Sequence, residues 1–233
     1  PPEVAKIVLH LTSAMGFSER AEAEETTLCY SFDPDHPVPT IGGALTSGEP
    51  IFEGGAFDQV EDEAFFGCTR YGLPLSARRD VLSFETPPLG EDLTIAGPVS
   101  VRLWVQTDGP DTDFTAKLMD VHPPSEDYPR GYAMILTDSI FRLRYRDGYH
   151  RPRGYDPSEG PVEIEITPFA TANLFKAGHR IRLDISSSNF PKFDVNPNTE
   201  ASPGFARTTR RATNKIVLGG RMSSRLELMK LTV

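Results

Sequence analysis

Ser186, Ser187 and Ser188, with His179 and Asp184 just upstream, come nearest in this sequence to a nucleophile, a base and an acid. Acyl transfer by a serine needs more than proximity: the hydroxyl must stand on a tight strand-to-helix elbow, G-x-S-x-G, beside backbone donors. These serines have no flanking glycines, and no helical pattern follows them. On a strand, moreover, residues 179 and 184 differ in parity, so their side chains leave opposite faces. A self-contained triad is therefore not expected. No HExxH, P-loop or GxGxxG is present, and no two of the five histidines stand at metal-ligand spacing. Asp111 and Asp113, with Asp120 further on, suggest calcium ligands, but the glycine and downstream glutamate of an EF-hand loop are missing. Turn and cross-strand roles suffice for them, and neither a metal nor a cofactor is expected. His10 is expected to be a structural or surface histidine, and a glycosidase-type carboxylate pair stays open because acidic residues are abundant.

The segment that must carry those serines is Ala177 to Asn198. Ile181, Leu183 and Ile185 alternate with Arg180, Arg182 and Asp184, the period-two signature of a strand with one buried side. Two prolines and three asparagines then end the ladder, leaving a loop, 187–198, pinned by Phe190 and Phe193. Further strands are expected at Ile7–Leu11, Thr26–Phe32, Asp111–Val121, Ile140–Arg146, Val162–Thr167, Ile216–Leu218 and Arg225–Val233, with Asp80–Phe84 beginning the second, more regular half. The clearest carries Val99, Val101, Leu103 and Val105 against Ser100, Arg102, Trp104 and Gln106. Pro168–Lys176 is expected to be a short helical or irregular turn. Arg142, Arg144 and Arg146 share one strand parity, with Glu163 and Glu165 as partners.

A chain of 233 residues can be one large β-sandwich. Its 21 prolines and 19 glycines imply many turns between short elements. The net charge of −9 argues against nucleic-acid or anionic-membrane binding, which draws on clustered lysine and arginine. Cys29 and Cys68 make neither a zinc site nor a disulfide scaffold and are expected to be reduced, partly buried thiols. No apolar run is long enough to span a bilayer. The first residues lack a signal-peptide pattern and look like the interior of a longer protein, so they say little about compartment.

Five ordered elements carry a resemblance. They are YSFDPDHPVPTIGG at Tyr30–Gly43, GAFDQ at Gly55–Gln59, RRDVLSFETPPL at Arg78–Leu89, DTDFTAKLMDV at Asp111–Val121 and AGHRIRLDISSSNFPKFDVNPN at Ala177–Asn198. Together they resemble the C-terminal domain of X-Pro dipeptidyl-peptidases, cocaine esterase-like enzymes, α-amino-acid ester hydrolases and glutaryl acylases. The resemblance implies an all-β, galactose-binding-like jelly-roll β-sandwich, one accessory domain over 1–233, with leading strands and irregular loops to 84 and a regular core from 85. It places the family's catalytic Ser, Asp and His upstream, on an α/β-hydrolase domain that, with a cap domain, would be this chain's partner in the same polypeptide. The substrate would be a small ester or peptide, met through that parent enzyme.

The pocket or interface candidates are Ile51, Phe52, Trp104, Ser187, Ser188, Asn189, Phe190, Phe193, Asn196 and Asn198. Ile51 and Phe52 would either reach toward the acyl pocket or staple their loop to its own sandwich. Trp104, on the polar parity of its strand, would meet the partner domain or, in the alternative of a carbohydrate-binding module, stack on a sugar. Oligomeric state is open, a homo-oligomer being allowed. Compartment is likewise open, with the cytoplasm slightly favoured.

Overall fold

The computed structural model describes residues 3–47, 51–201 and 204–232. Its strands in chain order are β1 (Glu3–Leu11), β2 (Phe17–Ser18), β3 (Thr26–Phe32), β4 (Leu82–Glu85), β5 (Leu93–Gly97), β6 (Ser100–Thr107), β7 (Asp113–His122), β8 (Tyr132–Arg142), β9 (Val162–Ile166), β10 (Thr171–Phe175), β11 (Arg180–Ser186), β12 (Ala212–Leu218) and β13 (Arg225–Thr232). A nine-stranded sheet runs β10-β5-β13-β6-β12-β3, with β1 and β2 extending from β13 and β9 paired to β6. Across from it lies a four-stranded sheet, β4-β11-β7-β8. The result is the expected jelly-roll β-sandwich. Among the described residues no helix is long and apolar enough to cross a membrane.

Alternation builds the core between the sheets. Val101, Leu103 and Val105 of β6 are fully buried and meet Phe114, Ala116 and Leu118 of β7 and Ile181, Leu183 and Ile185 of β11 in one apolar cluster. β1 and β3, from the leading stretch, belong to the large sheet: β1 pairs with β13 and β3 with β12. Val233, expected to close the last strand, lies outside the described residues.

Three local expectations need correction. Ile140–Arg146 is not one strand, because β8 ends at Arg142 and the chain turns through a 3-10 segment, Leu143–Tyr145, closed by Arg146 N–H donating to Leu143 O. The three arginines therefore diverge, Arg142 to Asp113, Arg144 to Asp111 and Arg146 to Glu159. Glu163 and Glu165 instead meet Arg225 and Arg102. Pro168–Lys176 contains a strand, β10, paired with β5 and anchored by fully buried Phe175. Its five residues carry too little pattern to announce themselves, and their partner is about 75 positions away in sequence.

The third correction matters most for function. Arg182 and Asp184 of β11 do not face water: both are buried, as are Thr115 and Lys117 of β7. Residues 33–47 and 51–81 lie over the outer face of the small sheet as an irregular third layer, with a small apolar core of Val38, Ile41, Cys68, Leu75 and Val81. It is stitched down by Gln59 N–H to Ala133 O at 3.1 Å, Phe190 N–H to Val38 O at 2.9 Å and Thr40 N–H to Phe190 O at 2.7 Å. The turn at Gly42-Gly43 requires glycine. Gly42 has φ +66°, and a Cβ there would meet Gly55 O at 2.4 Å. Cys29 is exposed and Cys68 buried, and both are free thiols.

Candidate functional site

Covering a charged sheet face forces its groups to pair with one another. Lys117 lies in register with Asp184 on one side and Asp138 on the other. Arg182 holds Asp184 through two bonds, of 2.8 and 2.6 Å. Asp138 takes Lys192 Nζ on one oxygen and Asn189 Nδ2, at 2.6 Å, on the other. Lys117 Nζ is buried without a hydrogen bond of its own. Its pKa falls to about 8 because burial penalises the ammonium, although Asp138 and Asp184 oppose the drop.

The loop after β11 closes over this layer. Ser186 Oγ bonds Thr115 Oγ1 at 2.6 Å. Ser187 Oγ lies 2.8 Å from Tyr30 OH and accepts from Asn214 Nδ2 at 2.7 Å. Ser188 Oγ accepts from Val38 N–H at 2.8 Å. Further along, Asn196 Nδ2 donates to Asp111 at 2.9 Å and to Asp113 at 2.8 Å. Asn198, in the left-handed region at φ +59°, donates to Arg210 O at 2.7 Å. Asp111 and Asp113 are thus filled by guanidinium and amide donors rather than grouped with Asp120. Burial raises the Asp113 carboxyl to about 6, with Arg142 and Asn196 opposing.

Ser187, Ser188, Asn189, Asn196 and Asn198 are accordingly brought together as an internal latch, every one of them buried within this chain. Phe190 and Phe193 are only partly covered. The Phe190 ring lies 5.8 Å from that of Phe66, a residue that sequence reasoning did not single out. Phe66 in turn joins Ile51, Phe52, Phe57 and Phe65 around a small cleft of about 170 Å³. Ile51 is 50% exposed and Phe66 54%. Three of the candidates, Ile51, Phe52 and Phe190, therefore border or approach one aromatic rim. Trp104 does not belong to it. The core-facing parity of β6 is Val101, Leu103 and Val105, so the indole, partly exposed, stands on the outer face of the nine-stranded sheet, away from that layer.

Among the described residues one hydroxyl does bond an imidazole: Ser223 Oγ lies 2.8 Å from His10 Nδ1. The pair has no hydrogen-bonded carboxylate behind it, and burial followed by the charge of Arg225 lowers the His10 pKa. It lacks the orienting acid that a general base requires. A second histidine cluster, also invisible in sequence, brings His122 and His179 to Asp120 at one end of the sandwich.

A family model for the X-Pro dipeptidyl-peptidase C-terminal non-catalytic domain matches residues 11–227. Cocaine esterase of Rhodococcus sp. (strain MB1 Bresler) is 39% identical over 175 residues, which is 75% of this chain and 27% of that protein. An aminopeptidase from a marine sediment archaeon, Thaumarchaeota archaeon, superposes with a TM-score of 0.82 at 28% identity, covering 98% of this chain and 37% of its own. An α-amino acid ester hydrolase superposes with a TM-score of 0.75 at 28% identity, over 97% of this chain and 36% of its own. The chain thus spans little more than a third of the solved enzymes it resembles.

Proposed function

The chain belongs to the family of X-Pro dipeptidyl-peptidase C-terminal non-catalytic domains, and from that premise we propose that it acts as the accessory domain of a serine hydrolase cleaving esters or amides. In this reading residues 1–233 work as one unit that packs on an α/β-hydrolase and cap domain of the same polypeptide and helps to wall its active-site mouth. The observation that carries it is the coverage: nearly all of this chain matches little over a third of each solved enzyme. A domain that contributes no reacting group fits the chemistry of its own residues. The three consecutive serines spend their hydroxyls on Thr115, Tyr30, Asn214 and Val38, and the His10–Ser223 pair has no acid.

The surface best suited to face the reacting domain is the aromatic rim of Ile51, Phe52, Phe66 and Phe190. It is apolar and partly exposed, and it stands on a layer held rigid by the latch beneath it. Substrate choice lies mostly in the hydrolase and cap domains, since the relatives act variously as an esterase, an aminopeptidase and an ester hydrolase on similar scaffolds. The carbohydrate-binding alternative would draw on Trp104 and the loop aromatics together, but Trp104 stands on the outer face of the large sheet while Phe190 lies against Phe66 in the third layer.

Two measurements test this. Assayed by itself against p-nitrophenyl esters and Pro-containing dipeptide amides, the chain is expected to show no turnover; activity abolished by a serine-directed inhibitor would overturn the reading. In the full-length enzyme, the double change Ile51→Ser and Phe52→Ser is expected to shift kcat/KM between small and bulky acyl donors by about tenfold, the scale of a lost apolar contact in a pocket. Kinetics unchanged over a series of donors would mean that these side chains only anchor their own loop.

A further inference from the structure

We propose that Asp120, His122 and His179 form a binding site for a divalent transition-metal ion of the zinc class. Asp120 and His122 are two residues apart on β7, so both project from the same face, and His179 stands at the mouth of β11, whose Arg180 is in register with Val121. Only the pairing of β7 with β11 brings the second histidine to the first. Asp120 is 1% exposed. One of its oxygens lies 2.8 Å from His179 Nδ1, and the other lies 3.6 Å from His122 Nε2. That Nε2 is buried and has no hydrogen-bond partner. A buried imidazole nitrogen turned toward a carboxylate, yet too far to bond it, leaves a lone pair or a proton unsatisfied.

An ion resolves this. With Zn–N and Zn–O bonds of about 2.0–2.2 Å, neighbouring ligand atoms in a tetrahedral shell stand about 3.3 Å apart. The two separations, one to each oxygen of Asp120, lie within about 0.5 Å of that value, and one ligating atom from each residue lies within 4.8 Å of the other two. Two imidazoles and one carboxylate, without thiolate, suit zinc and its neighbours better than calcium or magnesium. The alternative, an ion pair of His179 with Asp120, leaves the His122 nitrogen idle and stacks the two imidazoles with centroids 4.2 Å apart. His179 would offer Nδ1 to the ion by carrying its proton on Nε2 instead.

The surroundings match a metal shell. Asn173 Nδ2 donates to Asp120 Oδ2 at 3.0 Å and orients the carboxylate. His122 also lines a cleft of about 480 Å³ with Tyr128 and Tyr132, an entry path and a source of water for the remaining coordination position. Asn173 sits on β10 in the large sheet, whereas β7 and β11 belong to the small one. The bound ion would therefore pin β7 to the mouth of β11, and Asn173 would tie that shell to the large sheet through its bond to Asp120, a structural role independent of any catalytic reading.

The test uses the full-length polypeptide, stripped with a chelator and titrated with Co²⁺ for its visible absorption, then with Zn²⁺ in competition. The wild type is expected to take up one equivalent that His122→Gln does not, with intense tetrahedral-type Co²⁺ bands. Asn173→Ala is expected to weaken that binding by about 10–100-fold through loss of carboxylate orientation. His179→Asn, which keeps a donor to Asp120, is the second ligand variant should His122→Gln fold poorly, and circular dichroism checks both. Equal uptake by the wild type and a folded ligand variant, or no uptake by the wild type at micromolar ion, would overturn the site.

Discussion

Asp138→Ala is expected to remove about 3–5 kcal/mol of folding stability, the usual consequence of deleting one partner of a buried charge pair. Asp138 is 2% exposed, and the Lys192 ammonium that it binds has a side chain 1% exposed. The same carboxylate accepts from Asn189 and provides the leading opposing charge to Lys117. Without it two buried ammonium groups face each other, and only Asp184, already held by Arg182, offers compensation. The loss would be a large part of the roughly 5–15 kcal/mol typical of a folded domain. Urea denaturation followed by far-UV circular dichroism measures it. Asp138→Asn, which keeps an acceptor without the charge, is expected to fall between. A loss below about 1 kcal/mol for the alanine variant would mean that the third layer does not enclose these charges.

Lys117 produces the second large effect, with the opposite sign. Its ammonium has a pKa of about 8 in the folded chain against 10.5 for the free side chain. Between those values the unfolded chain binds the extra proton, so unfolding free energy rises with pH through that window, by about 3 kcal/mol at most. Cys68 and Tyr30 act the other way at the alkaline end, since burial raises both and stability falls as each ionises only in the unfolded chain. The comparison that isolates Lys117 is therefore the difference between wild type and Lys117→Met from pH 7 to pH 10. Methionine keeps the alkyl volume and loses the buried charge. The variant is expected to be more stable at pH 7, with the gap closing as pH rises. A constant gap would assign the effect to packing instead.

Much was legible in the residues alone. The alternation of Val99 to Val105 and of Ile181 to Ile185 marks strands with a core-facing parity, and those side chains are the buried ones in the sandwich. Thr26–Phe32 forms a strand with the bounds read from its pattern. Pro and Gly in Asp33–Gly43 announced a turn with left-handed positions, and Gly42 and Gly43 both adopt positive φ. The ordered family elements led to the accessory-domain family, and the family model spans 11–227.

Period-two alternation records which parity of each strand turns away from water. It could not say what lies on the other side. Arg182 and Asp184 look like a solvent face because charge in a strand usually means exposure, and only the fold brings residues 33–47 and 51–81 over them and makes the charges pair. The same is true of His122 and His179. They are 57 positions apart in the chain and become neighbours only where β7 pairs with β11. Local periodicity is a property of a few consecutive residues, whereas burial of a charge and convergence of ligands come from contacts distant in sequence. Those contacts exist only once the sheets have paired and the third layer has closed.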